Sequence, residues 1–125
     1  MNFDKVLAGF FIILAMTLNF GFFYGDPSDI SFHSKYELFA AIVINIVATV
    51  LKLGDKTQMG SVLLATSFVA VIQLVAAASI WTIAQYSYTV NQEVVGIILS
   101  LSGGALLANI TSVILYIGDT LKSKR

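Results

Sequence analysis

The charged residues of this chain are confined to short clusters, and they leave four stretches that carry no charge. These stretches are residues 6–25, 38–51, 57–92 and 94–118, with lengths of 20, 14, 36 and 25 residues. A helix that crosses a bilayer needs about 20 mostly apolar residues. Only 11% of the chain is charged and 58% is hydrophobic, which is far from the composition of a soluble domain. The pattern predicts an integral membrane protein.

We predict a single all-α domain over residues 1–125, a bundle of four transmembrane helices. The expected spans are about 6–25, 36–53, 59–86 and 94–118. The third stretch has no turn signal in its middle, so it is interpreted as one long, tilted helix. The second stretch is short, because 14 residues rise only about 21 Å in a helix. It crosses the bilayer if its flanking residues lie at the two interfaces, and a re-entrant or interfacial segment is the alternative.

The Lys and Arg residues predict the orientation of these spans. Six of the seven would lie on the side that holds both chain ends, and Lys35 is the exception. The positive-inside rule then places both termini in the cytoplasm, with the spans paired as two helical hairpins. The first span is expected to be a retained anchor, because bulky aromatic residues follow it where a signal peptide has small ones. An aromatic belt is expected at the opposite face, formed by Tyr24, Tyr36, Trp81, Tyr86 and Tyr88.

Each predicted span carries one carboxamide side chain within its apolar stretch. In hydrocarbon such groups need partners, so they are expected to form hydrogen bonds between helices. The alternative is that they line a hydrated path or bind an ion. The first interpretation is the simpler, because it accounts for one such group in every helix. The four residues are Asn19, Asn45, Gln73 and Asn109.

Small residues recur at every fourth position of the last span. This spacing lets two helix backbones approach closely. The partner could be another helix of the same chain or the same span of a second subunit. The residues are Ser100, Gly104, Ala108 and Ser112.

Spans two and four resemble each other at an offset of 64 residues. Residues 45–55 and 109–119 are identical at five of eleven positions, and both segments end in Gly-Asp. The alignment indicates a parallel repeat of two helical hairpins. A chance likeness between two apolar helices is the alternative.

A cytoplasmic turn is expected at Lys52, Gly54, Asp55 and Lys56. In this interpretation Gly54 ends the second helix, Asp55 caps the third with Gln58 as its partner, and Lys56 holds the loop in the cytoplasm. Residues 53–58 (LGDKTQ) also resemble part of the signature of calcium- and manganese-handling cation–proton exchangers. Lys52 stands where that family has a glutamate, and an ammonium group there would repel a cation.

Residues 18–26 (LNFGFFYGD) and 54–58 (GDKTQ) resemble a family of short, four-span bacterial inner-membrane proteins that has no assigned function. The resemblance implies a fold and a membrane location, and it implies no activity.

The sequence gives no sign of enzymatic chemistry. It has no cysteine and one histidine, His33, so no metal site is expected. No glycine-rich phosphate loop is present and the net charge is zero. We therefore expect no cofactor, no nucleotide and no nucleic acid. The expected partners are the lipid bilayer and either a second copy or another membrane protein.

Two functions are compatible with these features. The chain could be a homo-oligomeric channel or transporter for small ions or solutes, with Asn45 and Asn109 along its path. The alternative is a non-transporting accessory or assembly subunit of a larger membrane complex.

Overall fold

The structure is a bundle of four helices and confirms the predicted all-α class. The computed structural model describes residues 3–24, 33–53, 57–87 and 90–123. In this part of the chain there is no β-strand. The helices are α1 (Phe3–Phe23), α2 (Lys35–Lys52), α3 (Gln58–Ser87) and α4 (Gln92–Ser123).

Side-chain caps fix the starts of three helices. Ser34 Oγ accepts a hydrogen bond from the Glu37 N–H at 3.2 Å, as a serine N-cap does. Thr57 Oγ1 accepts from the Gly60 N–H at 3.0 Å, and Asn91 Oδ1 accepts from the Val94 N–H at 2.9 Å. These caps satisfy N–H groups that a helix start otherwise leaves without partners. Thr57 therefore caps α3. Asp55, which was predicted as the cap, lies outside the described residues.

The four helices form a ring. Each helix packs on the next one in the sequence, and α4 packs on α1 to close the ring. The most extensive contact joins α3 and α4. The start of α1 and the end of α4 meet, because the Tyr116 hydroxyl donates to the Lys5 carbonyl. We call this end of the bundle the Lys5 end and the opposite end the Lys35 end.

Small residues let the helices approach closely in the core. Ala41, Ala70, Ala77 and Ala105 have no exposed surface and pack with larger side chains such as Leu74. Large apolar side chains instead cover the outside, which is typical of a surface solvated by lipid. Examples are Phe10, Phe39, Ile72, Leu107 and Ile114, each at least 58% exposed.

Three of the described helices are long and apolar enough to cross a membrane, namely Phe3–Phe23, Gln58–Ser87 and Gln92–Lys122. The sequence predicted four, so that prediction is supported for three helices and fails for α2 by this measure. The physical reason is length and charge. α2 has 18 residues and carries Lys35, Glu37 and Lys52 at its two ends, which leaves a short apolar centre.

Candidate functional site

The predicted carboxamides of α1 and α4 meet in the core. The Asn19 carboxamide, oriented so that both its ends are satisfied, donates to the Ser102 carbonyl at 3.1 Å. Its oxygen accepts from the Leu106 N–H and from Asn109 Nδ2, each at 3.0 Å. Ser102 Oγ lies 3.3 Å from the same carboxamide. Asn19 and Ser102 have no exposed surface and Asn109 is 3% exposed. We call these three residues the carboxamide core, and their mutual bonds hold α1 against α4.

Gln73 lies on the other side of α4, against Gly104. A Cβ atom built on Gly104 would lie 2.7 Å from Gln73 Nε2, so the glycine makes room for the carboxamide. Gln73 Oε1 is buried and, among the described residues, has no hydrogen-bond partner. Further along the same interface, Thr66 Oγ1 and Ser112 Oγ share a hydrogen bond of 2.5 Å. The Gln73–Gly104 packing contact and the Thr66–Ser112 hydrogen bond therefore join α3 to α4 at two levels.

Asn45 does not join the carboxamide core. Its Nδ2 donates to the Ala41 carbonyl of its own helix at 2.8 Å. Its Oδ1 is buried and has no hydrogen-bond partner in the described part of the chain. Asn45 and Asn109 occupy corresponding positions in the predicted repeat, but they make different contacts. The repeat stays a prediction.

Three of the four small residues of α4 face the inside of the bundle. Gly104 and Ser112 contact α3, and Ala108 packs against the hydrophobic core. Ser100 is exposed. Of the two partners that the sequence left open, these contacts belong to a helix of the same chain.

The predicted cytoplasmic turn is described at one residue only, since Gly54, Asp55 and Lys56 lie outside the described residues. Lys52 ends α2 and is 5% exposed. Its Nζ lies over the Tyr116 ring, 5.6 Å from the ring centroid, within the range of a cation–π interaction. The Tyr116 ring also packs close to Gly9. Lys52 therefore ties the end of α2 to α4 and α1 at the Lys5 end.

Sequence reasoning missed a polar and aromatic cluster at the Lys35 end. His33 Nδ1 donates to the Phe22 carbonyl at 2.7 Å, which satisfies a carbonyl at the end of α1. The Phe22 ring packs on His33 and on Trp81. Lys35 Nζ lies 5.7 Å from the centroid of the Trp81 ring and donates to Gln85 Oε1 at 3.2 Å. Lys35 and Trp81 are 46 residues apart in the sequence, and no sequence pattern predicts their contact.

These features define a bundle of helices, three of them apolar enough to cross a membrane, in which buried polar groups bond α4 to α1 and to α3. The chain belongs to DUF6394, a family of unknown function whose model matches residues 32–120. That match covers α2 and α3 and runs through α4 to Thr120. It supports the resemblance to an uncharacterised family, and it gives no support to the resemblance to cation–proton exchangers. The comparisons with curated proteins and with solved structures gave no match.

Proposed function

We propose that this protein is a non-catalytic accessory or assembly subunit of the inner membrane, which acts by binding another membrane protein. The observation that carries the proposal is the carboxamide core. Asn19 and Asn109 bond to each other and to the α4 backbone, so they do not present open ligands to a passing ion. Large side chains without exposed surface, among them Phe22, Leu74 and Ile98, fill the interior around them. A bundle packed in this way conducts poorly through its own centre.

The proposed arrangement places all four helices at membrane depth, with both termini in the cytoplasm. α2 is short, but it packs between α1 and α3, and both of these are long enough to span. Its charged ends then lie at the two interfaces, with Lys52 bound to the Tyr116 ring and Lys35 to Gln85. Exposed Tyr24, Tyr36 and Tyr86 surround the Lys35 end, where an aromatic belt anchors a helix bundle.

Cysteine labelling tests this orientation. The chain has no cysteine, so a single introduced thiol reports its own location. We expect Lys122→Cys in intact cells to react only after a membrane-permeant reagent is added, and Tyr36→Cys to react with an impermeant maleimide. Both side chains are exposed, so neither variant disturbs the core. Equal labelling of both thiols by the impermeant reagent would contradict the arrangement.

A second function, a homo-oligomeric channel or transporter, is favoured by one observation. Asn45 Oδ1 and Gln73 Oε1 are buried acceptors without hydrogen-bond partners in the described part of the chain. Buried polar groups are normally satisfied by protein or by water, so these two oxygens are where water or an ion would be held. A pathway of this kind would use Asn45 rather than Asn109.

A flux measurement separates the two functions. Purified protein is reconstituted in liposomes and tested with potassium, sodium and manganese. For an accessory subunit we expect no flux above that of empty liposomes with any of the three ions. Flux that Asn45→Leu abolishes would overturn the accessory proposal and establish the second function. Asn45→Leu is preferred to Asn109→Leu, because Asn109 supports Asn19 and its loss would also weaken the fold.

A photo-crosslinking residue supplies the positive test for a partner. At Leu107, which is 67% exposed on α4, we expect a crosslinked product in native membranes that contains a second, different membrane protein. The matched control is Ala105, two residues away with no exposed surface, where no intermolecular product is expected. A product at Leu107 that contains only this chain would favour the homo-oligomer.

A further inference from the structure

The seam between α2 and α3 contains a row of cavities. One of about 230 Å³ lies at the Lys35 end, and the next, of about 380 Å³, adjoins it toward the centre. Ile42, Ala78 and Thr82 line both of them, so they form one groove. A third cavity, of about 170 Å³, lies further along the same seam between Ile46 and Phe68. The residues that line the groove come from α2 and α3 alone, so it runs along the seam between these two helices.

Most of the side chains that line the groove are apolar. The polar lining groups at its centre include the Thr82 hydroxyl, which already donates to the Ala78 carbonyl at 2.8 Å. Exposed Phe39 and Ile83 line its sides, so it opens toward the surface that faces lipid. An unfilled groove forfeits the dispersion contacts of its lining atoms. At membrane depth the occupant that restores them is hydrocarbon.

A cation stands at the mouth of the groove. Lys35 Nζ uses one donor on Gln85 Oε1, and an ammonium group has three. Among the described residues, the acidic residue nearest to Lys35 in the sequence is Glu37, and its carboxylate lies against Gly21 of α1. Lys35 is level with exposed Tyr36 and near exposed Tyr86, side chains typical of the headgroup region. The mouth thus offers positive charge at the depth where lipid phosphates lie.

We infer that the α2–α3 groove binds an anionic phospholipid, with one acyl chain along the seam and the phosphate at Lys35. The apolar lining holds the chain, and the ammonium group selects the negative headgroup. A lysine near the membrane surface contributes about 1 kcal/mol toward anionic lipid, which corresponds to about a fivefold preference over a zwitterionic lipid with the same chains.

The test uses Trp81, the single tryptophan of the chain, which lines the groove. Phospholipids with brominated acyl chains quench a tryptophan that they contact. Full-length protein is reconstituted in vesicles of unbrominated phosphatidylcholine with increasing amounts of brominated phosphatidylglycerol or brominated phosphatidylcholine. We expect half-maximal quenching of Trp81 at about a fivefold lower fraction of the phosphatidylglycerol.

Two variants and their matched controls locate the effect. Lys35→Gln should remove the preference for phosphatidylglycerol, whereas Lys122→Gln, the same change at the Lys5 end, should keep it. Thr82→Phe should fill the groove and reduce quenching by both lipids. Thr111→Phe is its control, because Thr111 is also exposed and donates to the carbonyl of its own helix at 2.9 Å.

Equal quenching of the original chain by the two lipids at every fraction would overturn the inference, since it indicates ordinary solvation of the surface. A preference that survives Lys35→Gln would overturn it as well. Neither result bears on the accessory function, because the flux and crosslinking measurements do not depend on the groove.

Discussion

Replacing Asn19 with leucine should lower the free energy of unfolding by about 2 kcal/mol. The Asn19 carboxamide makes three close hydrogen bonds to α4, and interhelical bonds in membrane proteins average about 0.6 kcal/mol each. The change also leaves Asn109 Nδ2 without its acceptor in a region with almost no exposed surface. Titration with sodium dodecyl sulfate in mixed micelles, followed by far-ultraviolet circular dichroism, measures the change.

The control is Thr17→Val on the same helix. Thr17 is exposed and donates only to the Ile13 carbonyl of its own helix, so its replacement should change stability by less than about 0.5 kcal/mol. A double-mutant cycle of Asn19→Leu with Asn109→Leu should give a coupling energy of about 0.6 kcal/mol. Additive effects of the two changes would show that the two carboxamides are not bonded to each other.

Replacing Gly104 with leucine should separate α3 from α4 and cost about 1–3 kcal/mol of stability, the range for overpacking a core. The first added carbon would lie 2.7 Å from Gln73 Nε2 and 3.0 Å from Gln73 Oε1. The end of a glutamine side chain can move, so Gly104→Ala should cost much less. The remaining atoms of leucine need space that only a shift of the helices supplies. The same unfolding titration measures the stability of the original chain, Gly104→Leu and Gly104→Ala.

Gly96→Leu and Gly118→Leu are the matched controls on the same helix. A Cβ atom at either position has nothing within 4 Å, so these changes should leave stability unchanged or raise it slightly through helix propensity. If Gly104→Leu were as stable as these controls, Gln73 would not pack on α4. Stability must also be known before Gly104→Leu is used to test partner binding. A destabilised bundle can lose a partner even when the binding surface is unchanged.

The distribution of charge predicted much of this fold because a bilayer imposes a simple rule. An uncharged stretch of 20 residues has few alternatives to a spanning helix, and that reasoning located the candidate spans in α1, α3 and α4. It failed for α2 because its length and charge are marginal on their own. Its place in the ring depends on packing against α1 and α3, which no count along the sequence records.

The sequence predicted which polar residues form the candidate site, but it did not predict which of them bond to each other. The sequence indicated that carboxamides would need partners, but Asn19 bonds to α4 and Asn45 to its own helix. That choice depends on the rotation of each helix about its axis, which a nearly uniform apolar sequence leaves undetermined. The caps at Ser34, Thr57 and Asn91 could be predicted from the sequence, since each of these residue types is preferred at a helix start.

The marginal apolarity of α2 has a consequence for how the protein is made. A helix with three charged residues among eighteen partitions poorly from the translocation machinery into lipid by itself. α1 precedes α2 in the chain and is long and apolar enough to cross a membrane. α2 can then enter alongside it, with its Glu37 carboxylate against Gly21. In the proposed arrangement, insertion of α2 therefore depends on its contact with α1, and we expect a change at that contact to reduce the yield of inserted chains.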